Sequence, residues 1–390
     1  MGRICVKSDK IVLPDKLFCG YVTSENGVIC DISEKKPHDA GQMIDAVGLY
    51  VSPGFIDMHT HGGGGSDFMD GDTYCIENAV MTHLNHGTTT IIPTTLASSK
   101  EELFTFLDNF RYVQDTLHDG PYLHGVHLEG PYFNPLQAGA QDPLYIKTPC
   151  RTEYEQIIEY AKGKICRWSL APELEGADAM GTYLSSLGII PSIAHSDAVY
   201  ADVEHAFRHG FSLVTHLYCG MSILQRKNSY RYLGVAESAL LLDDMDVEII
   251  ADGRHLPPEL LRFIIKNKGY DRIALVTDSM RAAGTDVSES ILGSQKNGRP
   301  VIIEDGVAKM PDRTSFAGSV ATADRLVRVM HFEAGVPLVD TIRMITATPA
   351  RILGLRRKGS IAVNMDCDLV LFDDIINVKS VITNGMKRCG

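Results

Sequence analysis

Strand and metal-ligand signals coincide in one segment near the start of the chain, Val51-Ser52-Pro53-Gly54-Phe55-Ile56-Asp57-Met58-His59-Thr60-His61-Gly62-Gly63-Gly64-Gly65. A short apolar run ends there in His59 and His61 and passes into four glycines. Alternate residues of a strand point to the same side, so the two imidazoles can be directed at one point. Imidazole is a ligand for zinc, iron, nickel and copper, and glycine lets the backbone approach a ligand closely. A lone His-x-His pair more often caps a strand, so the interpretation depends on the residues that end the later strands.

Downstream of this segment the hydrophobic pattern alternates between strands and helices in eight units. The strands are expected at 54–58, 88–93, 122–128, 167–171, 189–194, 212–215, 247–251 and 272–277. Helices are expected at 74–85, 100–117, 152–161, 177–187, 199–209, 257–267 and 319–334. Eight such units predict an α/β fold, a (β/α)8 TIM-type barrel with its active site at the carboxyl ends of the strands. A polar insertion over 286–312 is predicted to form a hairpin over the barrel mouth.

Both ends of the chain are rich in short strands instead. They are expected at 3–6, 10–13, 18–23, 27–32, 359–361, 367–372 and 378–383, with hairpin turns at Glu25-Asn26-Gly27 and Asn384-Gly385. Two strand-rich ends around a different middle predict a small β-sandwich built from both termini. We therefore expect residues 1–52 plus 355–390 to form the small β-sandwich domain and residues 53–354 to form the metal-dependent barrel hydrolase domain.

Composition excludes several classes of protein. The 390 residues are 44% hydrophobic and 22% charged, which is typical of a globular protein with a large core. A net charge of -12 without a basic cluster argues against a nucleic-acid partner. The sequence lacks a signal-peptide pattern and an apolar run of membrane-spanning length, so we expect a cytoplasmic protein without a membrane partner. Nine cysteines without Cys-x-x-Cys spacing argue against a disulfide framework and a cysteine zinc site.

Metal-ligand residues recur at the predicted strand ends. They are His59 and His61 after the first strand, Glu129 after the third, His195 after the fifth, His216 after the sixth and Asp278 after the eighth. Histidine accounts for only 14 of the 390 residues, yet it follows three of the eight strands. Because these ends meet at one rim of a barrel, imidazoles and carboxylates without a thiolate predict a metal site there.

The same residues allow one or two divalent ions, with zinc or iron expected. Glu129, His195 and His216 alone make a three-ligand site with an open position for water. His59, His61 and Asp278 could complete a second site that Glu129 bridges. Asp278 is placed to act as a general base, and structural ligation is the alternative role, although the two roles can coexist. No lysine ends the fourth strand, so Glu129 takes the place of the carboxylated lysine used by many two-metal barrels.

Motifs along nearly the whole chain resemble those of the amidohydrolase superfamily and are most similar to N-acetylglucosamine-6-phosphate deacetylases. These motifs are Pro-Gly-Phe-Ile-Asp-x-His-x-His-Gly (53–62), His-Gly-Thr-Thr-Thr (86–90), His-Leu-Glu-Gly-Pro-Tyr-Phe-Asn-Pro (127–135), Leu-Ala-Pro-Glu (170–173), Ala-His-Ser (194–196), Thr-His-Leu-Tyr (215–218), Ile-Ala-Asp-Gly-x-His (250–255), Val-Thr-Asp (276–278) and Ala-Gly-Ser (317–319). The resemblance implies hydrolysis of the acetamide of an amino-sugar phosphate to acetate and a free amine. It also implies that Glu129, His195 and His216 are shared metal ligands, that His59 and His61 are the additional pair of two-metal members and that Asp278 is the catalytic aspartate.

The resemblance further implies substrate contacts, and several of these depart from the family pattern. His255 matches a substrate-binding histidine, and Ala140 and Gln141 fall where the family contacts the sugar, with Gln141 in place of a common histidine. Cys219-Gly220 replaces an asparagine and alanine that help to hold phosphate, and Arg231 falls in an altered Arg-x-Pro-Gly motif. In the family a neighbouring subunit completes the phosphate site, so a homodimer is expected in which Arg231 or His255 acts across the interface.

The candidate anion-binding residues are Arg226, Lys227, Arg231, Arg254 and Arg281, because a guanidinium can hold phosphate in a bidentate manner. For any single one of them the alternative is a solvated surface charge.

Two other functions compete with hydrolysis of N-acetylglucosamine 6-phosphate. The altered Cys219-Gly220 segment favours a related amidohydrolase that acts on N-acetylgalactosamine 6-phosphate or on an unphosphorylated N-acetylhexosamine. The other alternative is a catalytically idle barrel that binds a metabolite, which the complete set of ligand positions disfavours.

Overall fold

Strands from both ends of the chain pair in one sheet of the computed structural model, which describes residues 2–389. Its strands are Arg3–Val12, Leu17–Glu25, Val28–Ser33, Gln42–Asp45, Tyr50–Pro53, Leu369–Phe372, Val378–Thr383 and Met386–Cys389. Tyr50–Pro53 lies between the first strand and Leu369–Phe372, and so joins the two ends of the chain. The predicted turn after Glu25 is confirmed, since Asn26 and Gly27 have φ values of 51° and 83° between two antiparallel strands. The strand expected at 359–361 does not form.

Parallel strands occupy the middle of the chain and form a curled sheet system. They are Phe55–Thr60, Thr88–Pro93, Tyr122–Leu123 with Val126–Glu129, Ile165–Leu170, Ile190–Ile193, Leu213–Val214, Asp246–Ile250 and Ile273–Val276. The last six, from Val126–Glu129 onward, pair in chain order, and the first three form a separate three-stranded sheet. Nearly all of these residues are buried, as expected for parallel strands that are covered on both faces.

Hydrogen bonds also connect the two parallel sheets. Thr94 and His127 form an isolated parallel bridge between them on one side. On the other side the Asp278 amide donates to the His59 carbonyl over 2.9 Å. The first and last strand ends, which carry predicted ligands, are therefore adjacent.

Helices follow most of the parallel strands. They are Thr73–Asn85, Lys100–Thr116, Arg151–Ala161, Ala177–Ser186, Tyr200–Arg208, Val235–Leu241, Pro258–Lys268, Ala323–Arg328, Leu338–Ile345 and Ala347–Ile352, with a π-helical turn at Val329–Glu333 and 3-10 turns at Phe68–Asp70, Pro135–Gln137 and Tyr270–Arg272. The helix expected from Ser319 begins only at Ala323, because Ser319 instead bridges the end of the eighth strand, and its amide donates to the Asp278 carbonyl. Among the described residues, no helix combines the length and apolar character needed to cross a membrane.

The insertion after the eighth strand is an antiparallel sheet of three strands, Glu289–Leu292, Arg299–Glu304 and Val307–Lys309, where the sequence predicted a single hairpin. The Arg299 guanidinium donates to the carbonyl oxygens of Ala140 and Gln141, at 3.2 Å each. The insertion therefore supports the loop that carries two predicted substrate contacts. Shorter antiparallel pairs are Gly62–Gly63 with Ser66–Asp67 and Gln225–Lys227 with Tyr230–Tyr232.

Candidate metal centre and active site

Three predicted site residues adopt a left-handed backbone conformation where their strands end. His195, His216 and Asp278 have φ values of 47°, 30° and 47°. Such values are uncommon for residues other than glycine, and they concentrate at functional sites that the surrounding structure holds in place. The strain marks the rim where the parallel strands end.

Imidazole nitrogens surround the carboxylate of Glu129. Its Oε1 atom lies 2.9 Å from His216 Nε2, 3.4 Å from His195 Nε2 and 3.6 Å from His59 Nε2. Its Oε2 atom lies 3.4 Å from His61 Nε2. The potential ligand atoms of Glu129, His195 and His216 all lie within 4.8 Å of one another, as do those of Glu129, His59 and His61. The structure therefore brings the four predicted histidine ligands together around the carboxylate of the fifth, Glu129.

Asp278 lies beside the His59 and His61 pair. Its Oδ1 atom is 3.1 Å from His61 Nε2 and 3.4 Å from His59 Nε2, and these two nitrogens are 3.3 Å apart. The aspartate predicted as the general base thus lies at the edge of the predicted ligand set.

The Nδ1 atoms of three of these histidines have hydrogen-bond partners, as is typical of metal ligands that bind through Nε2. His195 Nδ1 donates to the Gln137 carbonyl over 2.8 Å, and His216 Nδ1 donates to the Cys219 carbonyl over 3.1 Å. His59 Nδ1 pairs with the Glu248 carboxylate at 3.2 Å. Such bonds fix the tautomer and leave Nε2 with a free lone pair, as in most metal-ligating histidines. The donor set and its orientation therefore fit a divalent ion of the zinc or iron type.

Carboxylates and imidazoles at this centre shift one another's pKa values. Burial opposes ionisation of Glu129, but the charges and hydrogen bonds of the surrounding imidazoles outweigh it and hold the pKa well below its usual value. The pKa of Asp278 is also lowered, because His59 and His61 outweigh the effect of burial. Conversely, burial opposes protonation of His61, but Asp278 and Glu129 raise its pKa to about 9. The two carboxylates therefore stabilise the protonated form of the imidazoles near them. Binding of a cation would release those protons.

A buried ion pair between side chains of the parallel strands lies next to this centre. The Arg167 guanidinium contacts both oxygens of Glu248, one of them at 2.9 Å, and both side chains are fully buried. Arg167 also donates to Ser192 Oγ over 3.1 Å. Since Glu248 accepts a hydrogen bond from His59 Nδ1, the pair orients the ring of His59, which is a predicted metal ligand. Sequence reasoning missed both residues, although a charged residue within a buried apolar strand is a signal that a partner is required.

A cavity of about 270 Å³ opens above the cluster. Five of the six predicted substrate contacts line it, namely Ala140, Gln141, Cys219, Gly220 and His255. The sixth, Arg231, is exposed on the 225–232 hairpin and does not line the cavity. Among the described residues that line it there is no lysine or arginine.

Hydrogen bonds hold two of these cavity residues. The Gln141 amide donates to Glu129 Oε2 over 2.8 Å and accepts from the Ala97 amide over 2.9 Å, so both of its polar atoms have protein partners. His255 Nδ1 donates to Asp252 Oδ2 over 2.9 Å, which leaves Nε2 for a ligand. Asp252 was not identified from the sequence.

Arg281 is unavailable as an anion-binding residue, in contrast to the prediction. Its guanidinium contacts both carboxylate oxygens of Asp70, at 2.7 and 3.1 Å, and donates to the Gly65 carbonyl over 3.3 Å and to the Gly293 carbonyl over 2.5 Å. It therefore fastens the glycine segment after His61 to the insertion. Arg254 is engaged in part, because its Nε donates to the Asp305 carbonyl over 2.6 Å.

Comparison with known proteins shows similarity over nearly the whole chain. Residues 50–388 match the model of the Amidohydrolase family. The chain is 31% identical to the N-acetylglucosamine-6-phosphate deacetylase of Lysinibacillus sphaericus, with 94% of this chain and 92% of the relative covered. It is 30% identical to the N-acetylgalactosamine-6-phosphate deacetylase of Escherichia coli O157:H7, with 86% of each chain covered.

A solved structure is similar over its full length. A mutant N-acetyl-D-glucosamine-6-phosphate deacetylase from Mycobacterium smegmatis, in complex with N-acetyl-D-glucosamine-6-phosphate, has a TM-score of 0.92 at 27% identity, with 100% of each chain covered.

Proposed function

The chain belongs to the amidohydrolase family, and from this premise we propose that it hydrolyses the acetamide of N-acetyl-D-glucosamine 6-phosphate to glucosamine 6-phosphate and acetate, in amino-sugar catabolism. The observation that carries the proposal is the convergence of the Glu129 and Asp278 carboxylates with four imidazoles beneath a cavity of about 270 Å³. Relatives at about 30% identity that bear the name of this deacetylase support the choice of substrate.

We infer that Glu129, His195 and His216 hold one divalent ion, and that His59 and His61 with Glu129 hold a second where two are bound. Zinc and iron both suit this mixture of imidazole and carboxylate donors. Such an ion supplies Lewis acidity, which polarises an amide carbonyl and lowers the pKa of water.

The proton path runs through Asp278. Its lowered pKa keeps the carboxylate ionised at neutral pH, so it can accept the proton of the attacking water. The amide nitrogen must gain a proton before the C–N bond breaks, and Asp278 returns the same proton to it. The carboxylate is thus regenerated in each turnover.

The substrate lies in the cavity against His255 and the loop of Ala140 and Gln141. Asp252 orients the His255 ring so that Nε2 can meet the acetamide or the sugar. The thiol of Cys219 stays protonated at neutral pH, because burial raises its pKa. This residue therefore contributes a neutral wall beside Gly220.

The phosphate requires a positive charge that the cavity lining does not provide. The 225–232 hairpin follows the Tyr218–Met221 segment at the cavity and carries Arg226, Lys227 and Arg231, all of them exposed. We infer that this hairpin supplies the phosphate contact, across the interface of a homodimer.

The absence of lysine and arginine among the described residues of the cavity lining favours a second candidate, deacetylation of an unphosphorylated N-acetylhexosamine. A third substrate, N-acetylgalactosamine 6-phosphate, is supported by the Escherichia coli relative.

The test is acetate release from a substrate panel by metal-loaded protein. The panel contains the 6-phosphates of N-acetylglucosamine and N-acetylgalactosamine and both free sugars. We expect kcat/KM to be at least about tenfold higher for N-acetylglucosamine 6-phosphate than for either free sugar, since one charge-assisted hydrogen bond to the phosphate contributes about 1.5–3 kcal/mol. A higher kcat/KM for N-acetylgalactosamine 6-phosphate would favour the third substrate. A preference for either free sugar would replace the first candidate by the second.

Arg231→Gln is expected to raise KM for the phosphorylated substrate by about tenfold and to leave kcat nearly unchanged, because it removes one charge-assisted contact away from the reacting amide. KM for the free sugar should not change. Arg356→Gln is the matched control, since Arg356 is likewise exposed but does not lie on the 225–232 hairpin. Equal KM values for Arg231→Gln and wild type would exclude Arg231 from the phosphate contact.

We also infer that the parallel strands close into a (β/α)8 barrel over residues 53–354, with residues 1–52 and 355–390 as the small β-sandwich domain. The Thr94 to His127 bridge and the bond between Asp278 and His59 support closure.

A cytoplasmic location is supported by the eight cysteines that are free thiols in the described part of the chain.

A further inference from the structure

A second group of metal-ligand side chains lies on the outer helices, away from the cavity. His205 and His209 lie at the end of the helix Tyr200–Arg208, and Asp178 lies in the first turn of the helix Ala177–Ser186. Their potential ligand atoms all lie within 4.8 Å of one another. His205 Nε2 is 3.6 Å from Asp178 Oδ2.

The two histidines are four residues apart, and this spacing places them on one face of the helix. Their ring centroids are 4.2 Å apart. His209 Nδ1 donates to the His205 carbonyl over 2.8 Å. As at the active site, this bond fixes the ring and leaves Nε2 as the atom available to a cation.

Asp178 provides the carboxylate in an ordered position. Its Oδ1 atom accepts from the Ala179 amide over 2.8 Å, which leaves Oδ2 facing His205. That backbone bond, with a smaller contribution from His205, lowers the pKa of Asp178 and keeps it ionised at neutral pH. The nearby Arg208 pairs with Glu204 at 3.1 Å and so does not neutralise Asp178.

Close packing of the two helices fixes the separation of these groups. Gly181 lies on the same face as Asp178, three residues later. A Cβ atom at Gly181 would collide with the Phe211 ring and would lie 3.1 Å from the His209 carbonyl oxygen. The first helix therefore rests directly on the end of the second, so the backbone positions that carry the carboxylate and the imidazoles are held at a fixed separation.

We propose that Asp178, His205 and His209 form a second, exposed site for a divalent late transition-metal ion such as zinc. Two imidazoles and one carboxylate, with water at a fourth position, form a common open zinc site. The ion joins two helices that are otherwise held by side-chain packing, so binding stabilises the folded chain in proportion to the logarithm of the ion concentration. The site is independent of the proposed deacetylation.

Equilibrium dialysis of the full chain against zinc, followed by elemental analysis, tests this site. The variant His205→Ala/His209→Ala should bind one zinc ion per chain fewer than wild type and should release acetate at the wild-type rate. The rise in thermal midpoint that zinc gives wild type should be smaller in this variant. The matched control is His38→Ala/His118→Ala, which removes two exposed histidines elsewhere and should keep the wild-type zinc content.

Asp178→Asn is the second variant, because it keeps the shape of the side chain and weakens only the oxygen donor. We expect its zinc affinity at this site to fall at least about tenfold. Equal zinc stoichiometry in wild type and in the double histidine variant would overturn the proposal. Loss of an ion from the His38 and His118 control would overturn it as well, since surface histidines in general would then account for the binding.

Discussion

Asp278→Asn is expected to lower kcat by about 10³-fold, while the protein remains folded and retains its metal ions. The carboxylate oxygen lies 3.1 Å from His61 Nε2, at the edge of the predicted ligand set, where an attacking water would lose its proton. A carboxamide has nearly the same size but cannot accept that proton or return it to the leaving amine. The loss should therefore appear in kcat rather than in KM.

The backbone conformation at position 278 suits asparagine as well as aspartate, so the substitution should change the proton-transfer chemistry without straining the fold. Asp278 has a φ of 47°, and asparagine is one of the few residues that tolerate this left-handed conformation as well as aspartate does. Acetate release, circular dichroism and metal content should be measured on the same preparation. Asp286→Asn is the control, because Asp286 is exposed and lies only eight residues further along the chain. Turnover of Asp278→Asn within tenfold of wild type would remove the assigned role.

The proximity of the candidate metal-ligand residues could be predicted because it depends on local pattern. Several of the parallel strands are short buried runs that end in a polar residue or shortly before one, as in Val126–Glu129 or in Ile273–Val276 before Asp278. Parallel strands joined by helices place those ends at one rim. Strand pattern and connectivity were therefore enough to predict that distant histidines and carboxylates meet.

Contacts between residues on distant strands and loops could not be predicted in the same way. Arg167 and Glu248 are 81 residues apart, and their pairing depends on the relative register of several strands. Gln141 was assigned to the substrate from its place in a motif, yet its amide donates to Glu129. Arg281 was considered free, yet it pairs with Asp70, 211 residues away. The sequence singled out Gln141 and Arg281 but not Arg167 or Glu248, and in every case the partner is determined by tertiary packing.

Arg167→Met is expected to lower the free energy of unfolding by about 3–5 kcal/mol, because it leaves the charge of Glu248 buried without its main partner. At present Arg167 and His59 outweigh the burial of Glu248 and hold its pKa below the usual value. Without the guanidinium, burial should raise that pKa above the unfolded value. The folded variant would then bind a proton that the unfolded chain releases, so its loss of stability should be smaller at pH 5 than at pH 8.

Urea unfolding followed by the fluorescence of Trp168, the single tryptophan and a buried neighbour of Arg167, measures this loss. Arg208→Met is the matched control, since it breaks an exposed pair with Glu204 and should cost less than about 1 kcal/mol. Adding Glu248→Gln to Arg167→Met removes the buried charge but keeps an oxygen that can accept from His59 Nδ1. The double variant should therefore regain at least half of the lost stability. If Arg167→Met lowered the free energy of unfolding no more than Arg208→Met does, the buried Arg167–Glu248 pair would not contribute to the stability of the centre around His59.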